Sequence, residues 1–266
     1  MTRVARAACT LADPLIELGA TVHVVPLTRI ELLDPAPLRA AIERLEAYRW
    51  IVLTSGNAAR IFADELALSG GAVRMSDSAA RRRPEIVAVG PATARTLRAA
   101  GLAPDIIAAD YSAEGVLAEL RSGRPVRGQR VLYPVARGAR DVLVPGLEAL
   151  GATVDAIPIY ESVPDDAGAA RLRGLVQRAE IDLVAVMAGS AVRAVVRALG
   201  TEAMGVHLAS IGPVTSQVAR ELGLRVDVEA TQSTAESLVA AIVARYGRGS
   251  ASFPRDGSPG RSPLSD

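Results

Sequence analysis

The segment Val87-Ala-Val-Gly-Pro-Ala-Thr-Ala-Arg-Thr-Leu97 recurs later in the chain as Ala209-Ser-Ile-Gly-Pro-Val-Thr-Ser-Gln-Val-Ala219. The same offset of 122 residues carries Ser112-Ala-Glu114 onto Thr234-Ala-Glu236. A further match, at an offset of 132, joins Leu18-Gly-Ala-Thr-Val22 to Leu150-Gly-Ala-Thr-Val154. Two copies of one structural unit therefore account for nearly the whole of the chain.

Each copy alternates short apolar strands with amphipathic helices. Continuous apolar runs of this length are typical of strands buried on both faces of a parallel sheet. The predicted strands are Trp50–Thr54, Glu85–Val89, Gln129–Tyr133, Asp182–Val186 and His207–Ile211. The helices predicted at Ala92–Ala100 and Val214–Leu222 each stop at a glycine, Gly101 or Gly223. This alternation predicts an α/β protein with two facing domains, each a parallel sheet flanked by helices.

The repeat also predicts a gap at the start of the first copy. The second copy opens with the strand Gln129–Tyr133, whose counterpart in the first copy falls at or before Met1. Either translation starts further upstream or the first domain lacks a central strand. Since losing a buried parallel strand would expose the sheet, we expect an upstream apolar extension of about eight residues.

The composition excludes several kinds of chemistry. All 30 basic residues are arginine, so a Schiff-base lysine and a Walker A lysine are both excluded. One cysteine and two histidines cannot form a zinc site of the usual Cys/His kind. A net charge of +1 and few aromatic residues do not indicate nucleic-acid binding. We attribute most of the arginine to GC-rich codon usage.

Neither a membrane span nor a signal peptide is predicted, and we expect a cytoplasmic protein. Residues 69–84 have no counterpart in the second copy and are predicted to form a surface insertion, with Arg81–Arg83 in solvent. Residues 247–266, rich in Gly, Ser and Pro, are predicted to be a disordered tail.

Small residues follow several strands and suggest where a ligand binds. In a parallel α/β sheet these turns lie at the carboxyl ends of the strands, and each opens a helix whose first amides favour an anion. The alternative is structural: Ser, Thr and Asn cap helices, and Gly-Pro makes a tight turn. The residue pattern leaves both interpretations open. The turns are Thr54–Asn57, Gly90–Thr93, Ala188–Ser190 and Gly212–Thr215.

These motifs, in this order and spacing, resemble the uroporphyrinogen-III synthase family of tetrapyrrole biosynthesis. The resemblance covers about residues 2–244. The segments that carry it are Thr2-Arg3, Pro26-Leu-Thr-Arg-Ile-Glu31, Leu53-Thr-Ser-Gly-Asn-Ala58, Ala88-Val-Gly-Pro-Ala-Thr-Ala94, Gly138-Ala-Arg140, Ile157-Pro-Ile-Tyr-Glu161 and Ile211-Gly-Pro-Val-Thr-Ser216.

The resemblance implies two α/β domains joined by a two-stranded linker, with a cofactor-free and metal-free cleft between them. By this resemblance one domain combines residues 1–29 with 164–246, and the other spans 34–157. The linkers are residues 30–33 and 158–163.

The family cyclises hydroxymethylbilane, a linear tetrapyrrole with eight carboxylates, and inverts its last ring, ring D. The resemblance implies that Tyr160 gives a proton to the leaving hydroxyl; the alternative is an aromatic residue that only packs in the linker. Arg3 and Arg140 are expected to hold propionates, or to form structural salt bridges. The other expected substrate-binding residues are Ser55, Asn57, Gly90, Thr93, Gly189, Ser190, Gly212, Pro213 and Thr215.

The resemblance further implies a monomer that has transient contact with hydroxymethylbilane synthase. His23 and His207 lie on predicted strands and are expected to be structural. A second hypothesis is an intracellular two-lobed anion- or tetrapyrrole-binding protein, an inactive paralogue. It is consistent with Ala188, which stands where the family commonly has a hydroxyl residue.

Overall fold

The computed structural model describes the backbone of residues 3–70, 83–122, 126–139 and 142–247, and side chains from residue 10 onward. The described residues form two compact units. Unit 1 combines the described parts of 1–29 and 164–266, and unit 2 is formed within residues 30–163. Most of the predicted insertion and of the predicted tail lies outside the described residues.

Strands and helices alternate along the described chain, as the sequence predicts. The strands are β1 (Thr28–Leu32), β2 (Trp50–Leu53), β3 (Glu85–Ala88), β4 (Ile106–Ile107), β5 (Arg130–Ala136), β6 (Thr153–Pro164), β7 (Val184–Val186), β8 (Leu208–Ser210) and β9 (Val226–Glu229). The helices are α1 (Arg3–Glu17), α2 (Ala36–Glu43), α3 (Gly56–Leu68), α4 (Pro91–Ala99), α5 (Ala113–Arg121), α6 (Leu143–Ala149), α7 (Asp166–Gln177), α8 (Gly189–Leu199), α9 (Pro213–Glu221) and α10 (Ala235–Tyr246).

The sheet built mainly from unit 2 has six strands in the order β1-β6-β5-β2-β3-β4. From β6 to β4 every neighbouring pair is parallel. β1 runs antiparallel to β6, as two hydrogen bonds at its ends show. The Leu33 amide donates to the Ile159 carbonyl at 3.1 Å, and the Asp165 amide donates to the Leu27 carbonyl at 3.0 Å. The fold is thus α/β with parallel-dominated sheets flanked by helices, which confirms the predicted class.

Apolar side chains of β2 alternate between two cores. Ile51 and Leu53 join a cluster with the helices α2, α3 and α4, whereas Trp50 and Val52 join a cluster with α5 and α6. All four side chains are fully buried. A strand covered by helices on both faces buries every residue, which explains the unbroken apolar run in its sequence.

Unit 1 is a smaller version of the same arrangement. Its described strands form a parallel sheet in the order β7-β8-β9. Leu208 packs with the helices α7, α8 and α9, while Ala209 packs with α1 and α10. The sheet of unit 1 is therefore also covered on both faces.

The repeat predicted from sequence recurs as equivalent contacts. The glycines after α4 and α9 adopt positive φ angles of 78° and 77°, at Gly101 and Gly223. The next residue in each copy, Leu102 or Leu224, donates its amide to a carbonyl of the last turn, at 3.0 and 2.9 Å. This is the glycine-terminated helix end that the sequence predicts.

A second equivalent contact lies at the amino ends of the strands. The Asp105 carboxylate accepts the Ile86 amide of β3 at 2.8 Å, and the Asp227 carboxylate accepts the Leu208 amide of β8 at 3.2 Å. Asp227 also lies 3.1 Å from His207 Nδ1. His207 therefore contacts a structural carboxylate at the sheet edge opposite the predicted ligand edge.

Residues 20–27 form no strand, although the repeat predicts one there that would include His23. Their counterpart in unit 2 is the first part of β6, which pairs with β5. In the described part of unit 1 nothing occupies the place of β5, so β7 has β8 as its one neighbour and residues 20–27 have no parallel partner.

We expect the open edge of β7 to appear in amide exchange. Ala185 lies in β7 with Val52 as its counterpart in β2, and β2 is flanked by β3 and β5. The Ala185 amide should exchange at least about tenfold faster than that of Val52. The Ile211 and Val89 amides, which donate to Val186 and Leu53 at 3.1 and 3.0 Å, are matched internal controls. Equal protection of Ala185 and Val52 would contradict this expectation.

We also expect a pH-dependent loss of stability in Asp227→Asn. Burial of the Asp227 carboxyl raises its pKa, but hydrogen bonds from His207, Arg225 and the Leu208 amide outweigh this, so the net pKa is lowered. A lowered pKa gives stability that is present above the unfolded value of about 3.9 and is lost as pH falls through the folded value.

At pH 7 the substitution should cost about 2 kcal/mol in free energy of unfolding, as expected for hydrogen bonds to a charged group. The difference from wild type should shrink in denaturant unfolding below about pH 4. Asp182→Asn, at an exposed aspartate of the same unit, is the control. A difference that persists undiminished to pH 2 would refute the assigned role of the carboxylate.

Candidate functional site

The strand order has a switch point at the end of β2. The chain leaves β2 to form β3 on one side, whereas β5 pairs with β2 on the other. Connections leave in opposite directions at such a point, so the carboxyl ends of the two strands are uncovered and ligands bind there. In unit 2 this point lies at Thr54 and Ser55, which follow β2, and at Arg137, which follows β5.

Tyr160 and Ser55 meet at this edge. The Tyr160 hydroxyl lies 2.9 Å from Ser55 Oγ, although the two residues are 105 positions apart in the chain. The Tyr160 side chain packs in the same cluster as Ile61 and Leu132 and is 6% exposed. The packed ring fixes the position of the Tyr160 hydroxyl. By the family resemblance this hydroxyl is the expected proton donor.

Ser55 is also the N-cap of α3. Its backbone is extended, with φ −148° and ψ 154°, and its Oγ accepts the Ala58 amide at 3.0 Å. Asn57 lies in the first turn of the same helix and is half-buried. The capping interpretation and the ligand interpretation of this turn are therefore compatible, because one oxygen contacts both the helix and the tyrosine.

A second hydroxyl pair lies on the other face of the same sheet. Thr54 Oγ1 is 3.4 Å from the Tyr133 hydroxyl, and Tyr133 is 5% exposed. Next to Tyr160, Glu161 pairs with Arg137 at 3.6 Å, and the Arg137 amide donates to the Tyr160 carbonyl at 2.7 Å. The sequence alone did not single out Arg137 as a neighbour of Tyr160, since only the strand order brings the end of β5 next to β2.

The glycine of each Gly-Pro turn makes an equivalent close contact. A Cβ on Gly90 would lie 3.2 Å from the Tyr111 ring, and one on Gly212 would lie 2.7 Å from Ser233 Oγ. Tyr111 and Ser233 are themselves related by the 122-residue offset of the repeat. The segment before the last helix of each copy lies directly over the turn, so a side chain at either glycine would require Tyr111 or Ser233 to move.

Three helices that follow the predicted ligand turns, α4, α8 and α9, begin without a side-chain cap. The N-cap residues of α4, α8 and α9 are Gly90, Ala188 and Gly212, which carry no side-chain acceptor. By contrast, Ser112 caps α5 by accepting the Gly115 amide at 2.9 Å. The first turns of α4, α8 and α9 thus have no side-chain acceptor from their own cap residue, and helix starts of this kind are suited to an anionic ligand.

The remaining expected binding residues differ in exposure. Thr93 and Thr215 are buried, with 2% and 6% of their surface exposed. Ser190 and Pro213 are exposed, and Gly189 is partly buried. A Cβ on Gly189 would lie 2.9 Å from the Val218 side chain, so α8 and α9 are closely packed at this turn.

The two arginines assigned by resemblance cannot be placed in the site. Arg3 is the first residue of α1 and its side chain lies outside the described residues. Arg140 lies wholly outside them. The structure thus brings together Ser55 and Tyr160 in unit 2, with Asn57 in the first turn of α3 and Gly90 after the neighbouring strand β3. Gly189, Ser190, Gly212 and Pro213 lie at the corresponding edge of unit 1.

Two surface cavities lie elsewhere. One of about 90 Å³ is lined by Glu65 and by apolar residues in or between β1, α2, α3 and β6, and one of about 460 Å³ lies beside α1 and α10, at Thr10, Asp13 and Glu236. Among the described residues, no cluster of three His, Cys, Asp or Glu side chains could hold a metal ion. No described helix has the length and apolar character needed to cross a bilayer.

Comparison with known proteins gives a consistent family. The family model described as "Uroporphyrinogen-III synthase HemD" matches residues 10–240. The chain is 32% identical, over 258 residues, to the uroporphyrinogen-III synthase of Synechococcus elongatus, covering 91% of this chain and 92% of the relative.

Solved structures support the fold. A mutant uroporphyrinogen III synthase from Thermus thermophilus aligns with a TM-score of 0.60 at 21% identity, over 92% of this chain and 95% of that one. The uroporphyrinogen-III synthetase of Helicobacter pylori aligns with a TM-score of 0.55 at 17% identity, over 82% and 90% of the two chains. At these identities the likeness concerns the fold alone.

Proposed function

The chain belongs to the uroporphyrinogen-III synthase family and is an enzyme of that class, and we propose that its chemistry is centred on Tyr160 and Ser55. The observation that carries this proposal is the 2.9 Å contact between the two hydroxyls at the carboxyl end of β2. The contact joins two segments that the sequence analysis singled out separately, and it lies where the strand order leaves the edge of the sheet uncovered.

The reaction of this family requires positioning and one proton transfer. Hydroxymethylbilane loses its hydroxyl as water and becomes an electrophilic azafulvene. The substituted carbon of ring D attacks it, and the resulting spiro intermediate fragments and recloses with ring D inverted. Without the enzyme the bilane closes uninverted, as the type I isomer. Holding the bilane in the productive fold supplies several kcal/mol of the barrier.

Tyr160 supplies the proton for the first step. Its O–H donates to the leaving hydroxyl oxygen, the carbon–oxygen bond breaks, and water departs. The macrocycle releases a proton when it is complete, which returns the phenol to its starting state, so the net change is the loss of one water. General acid catalysis by a positioned group contributes about 10²- to 10⁴-fold to such a step.

The uncapped turns hold carboxylates of the substrate. The helices that follow Gly90, Ala188 and Gly212 begin without a side-chain acceptor from the cap residue, and helix N-termini favour negative charge. A substrate with eight carboxylates matches several such turns, and this binding requires no lysine. Arg3 and Arg140 add bidentate contacts to propionates in this proposal.

The setting proposed for the enzyme is the cytoplasm, where the protein acts as a monomer. The bilane is unstable, so a transient contact with hydroxymethylbilane synthase shortens the time in which it closes uninverted. The family's chemistry needs no cofactor, and the residues proposed for the site supply only hydroxyls, amides and guanidinium groups.

An isomer assay of Tyr160→Phe tests the proposal. Freshly made hydroxymethylbilane is added, the products are oxidised, and the type I and type III isomers are separated. We expect wild type to form the type III isomer, and Tyr160→Phe to lose about 10²-fold in kcat, with type I becoming the main product.

The matched control is Tyr133→Phe, which removes another buried tyrosine hydroxyl from the same sheet. It should retain the type III product. Only type I isomer from the wild-type protein would refute the site as an active one and would favour a binding protein. Unchanged turnover by folded Tyr160→Phe would remove Tyr160 from the mechanism.

A further inference from the structure

Ser55 Oγ contacts two groups, the Ala58 amide and the Tyr160 hydroxyl. It accepts the Ala58 amide at 3.0 Å, which belongs to the first turn of α3, and it lies 2.9 Å from the Tyr160 hydroxyl. A serine hydroxyl has one hydrogen to donate and two lone pairs to accept with. Since one lone pair is used by Ala58, the Ser55 hydrogen remains available for a second bond.

The contact with Tyr160 can form in either direction. If Tyr160 donates to Ser55, its proton is occupied and is not available to the substrate. If Ser55 donates to Tyr160, the Tyr160 proton points away from Ser55 and a lone pair of the phenol oxygen is engaged. The hydrogen bond from the Ala58 amide polarises the Ser55 O–H and makes Ser55 the better donor of the two hydroxyls, because hydrogen bonds in a chain reinforce one another.

Both partners are held in place by backbone contacts. The Ser55 carbonyl accepts the Ala59 amide at 3.0 Å, which fixes the cap at the start of α3. Tyr160 is opposite Ala136 in the register of β5 and β6, and its carbonyl accepts the Arg137 amide at 2.7 Å. The hydroxyl contact is therefore set by the fold itself.

We propose that Ser55 is a positioning residue that transmits the positive end of α3 to Tyr160. Its O–H donates to the phenol oxygen, directs the Tyr160 proton toward the substrate, and stabilises the negative charge that forms on the phenol oxygen as the proton leaves. This inference rests on the proposed role of Tyr160 as proton donor, and it gives Ser55 a function through Tyr160 instead of a contact with the substrate.

Three substitutions separate the two contacts of Ser55. Ser55→Thr keeps a hydroxyl and a helix cap, Ser55→Gly keeps most of the stability of the cap but has no hydroxyl, and Ser55→Ala loses both. We expect kcat to fall about tenfold in the Gly and Ala variants, the effect of one lost hydrogen bond, and to be restored in the Thr variant. KM should stay unchanged, since the bond acts only as the proton moves.

A control variant accounts for the loss of a helix cap alone. Ser112 caps α5 in the same unit, and its hydroxyl lies 3.4 Å from Asp110 Oδ2. Ser112→Ala should therefore lose stability comparable to that lost by Ser55→Ala, with kcat and the ratio of type III to type I isomer unchanged. Thermal unfolding of each variant checks that the protein is folded.

A double-substitution cycle distinguishes this inference from the proposed function. If Ser55 acts through Tyr160, then Ser55→Ala has no further effect on kcat in the Tyr160→Phe background. Equal tenfold losses in both backgrounds would overturn the positioning role and leave that of Tyr160 intact. A rise in KM with kcat unchanged would likewise overturn it, in favour of direct substrate binding. Unchanged turnover by Tyr160→Phe itself would refute the proposed donor.

Discussion

The pairing of β2 with β3 on one side and with β5 on the other is the constraint on which unit 2 depends. The pairing places β2 in the middle of the sheet, where helices on either face bury all four of its side chains in the two cores. It also creates the point where connections leave the sheet in opposite directions. Thr54 and Ser55 follow β2 at this point, so the interaction that stabilises the sheet also positions the candidate site.

Unit 1 repeats the supporting contacts with fewer strands. The glycine-terminated helices, the aspartates that hold strand amides, and the residues that cross over the Gly-Pro turns all recur in it. The difference lies beside β7, where no described strand takes the place that β5 has in unit 2. The repeat therefore preserves the turns, which carry the proposed anion sites, even where the sheet that presents them is smaller.

Much of this fold follows from local sequence, because the responsible forces are local. Unbroken apolar runs predict doubly covered strands such as β2, and Gly101 and Gly223 predict helix ends through their backbone conformation. Residues 20–27 show the limit of prediction from local sequence. Their apolar pattern predicts a strand, but a strand forms only where a neighbouring strand is present to pair with it. The contact between Ser55 and Tyr160 spans 105 residues, so only the strand order reveals it.

The central claim is that carboxylates bind at the carboxyl edges of the sheets through turn amides. It is tested most directly by titrating 15N-labelled protein with uroporphyrin III, an oxidised product with eight carboxylates. We expect amide shifts that cluster at residues 56–57, 92–93, 189–190 and 214–215, while the Asp105 and Asp227 amides at the opposite edges stay unchanged. Shifts confined to the amino edges or to exposed arginines would contradict it.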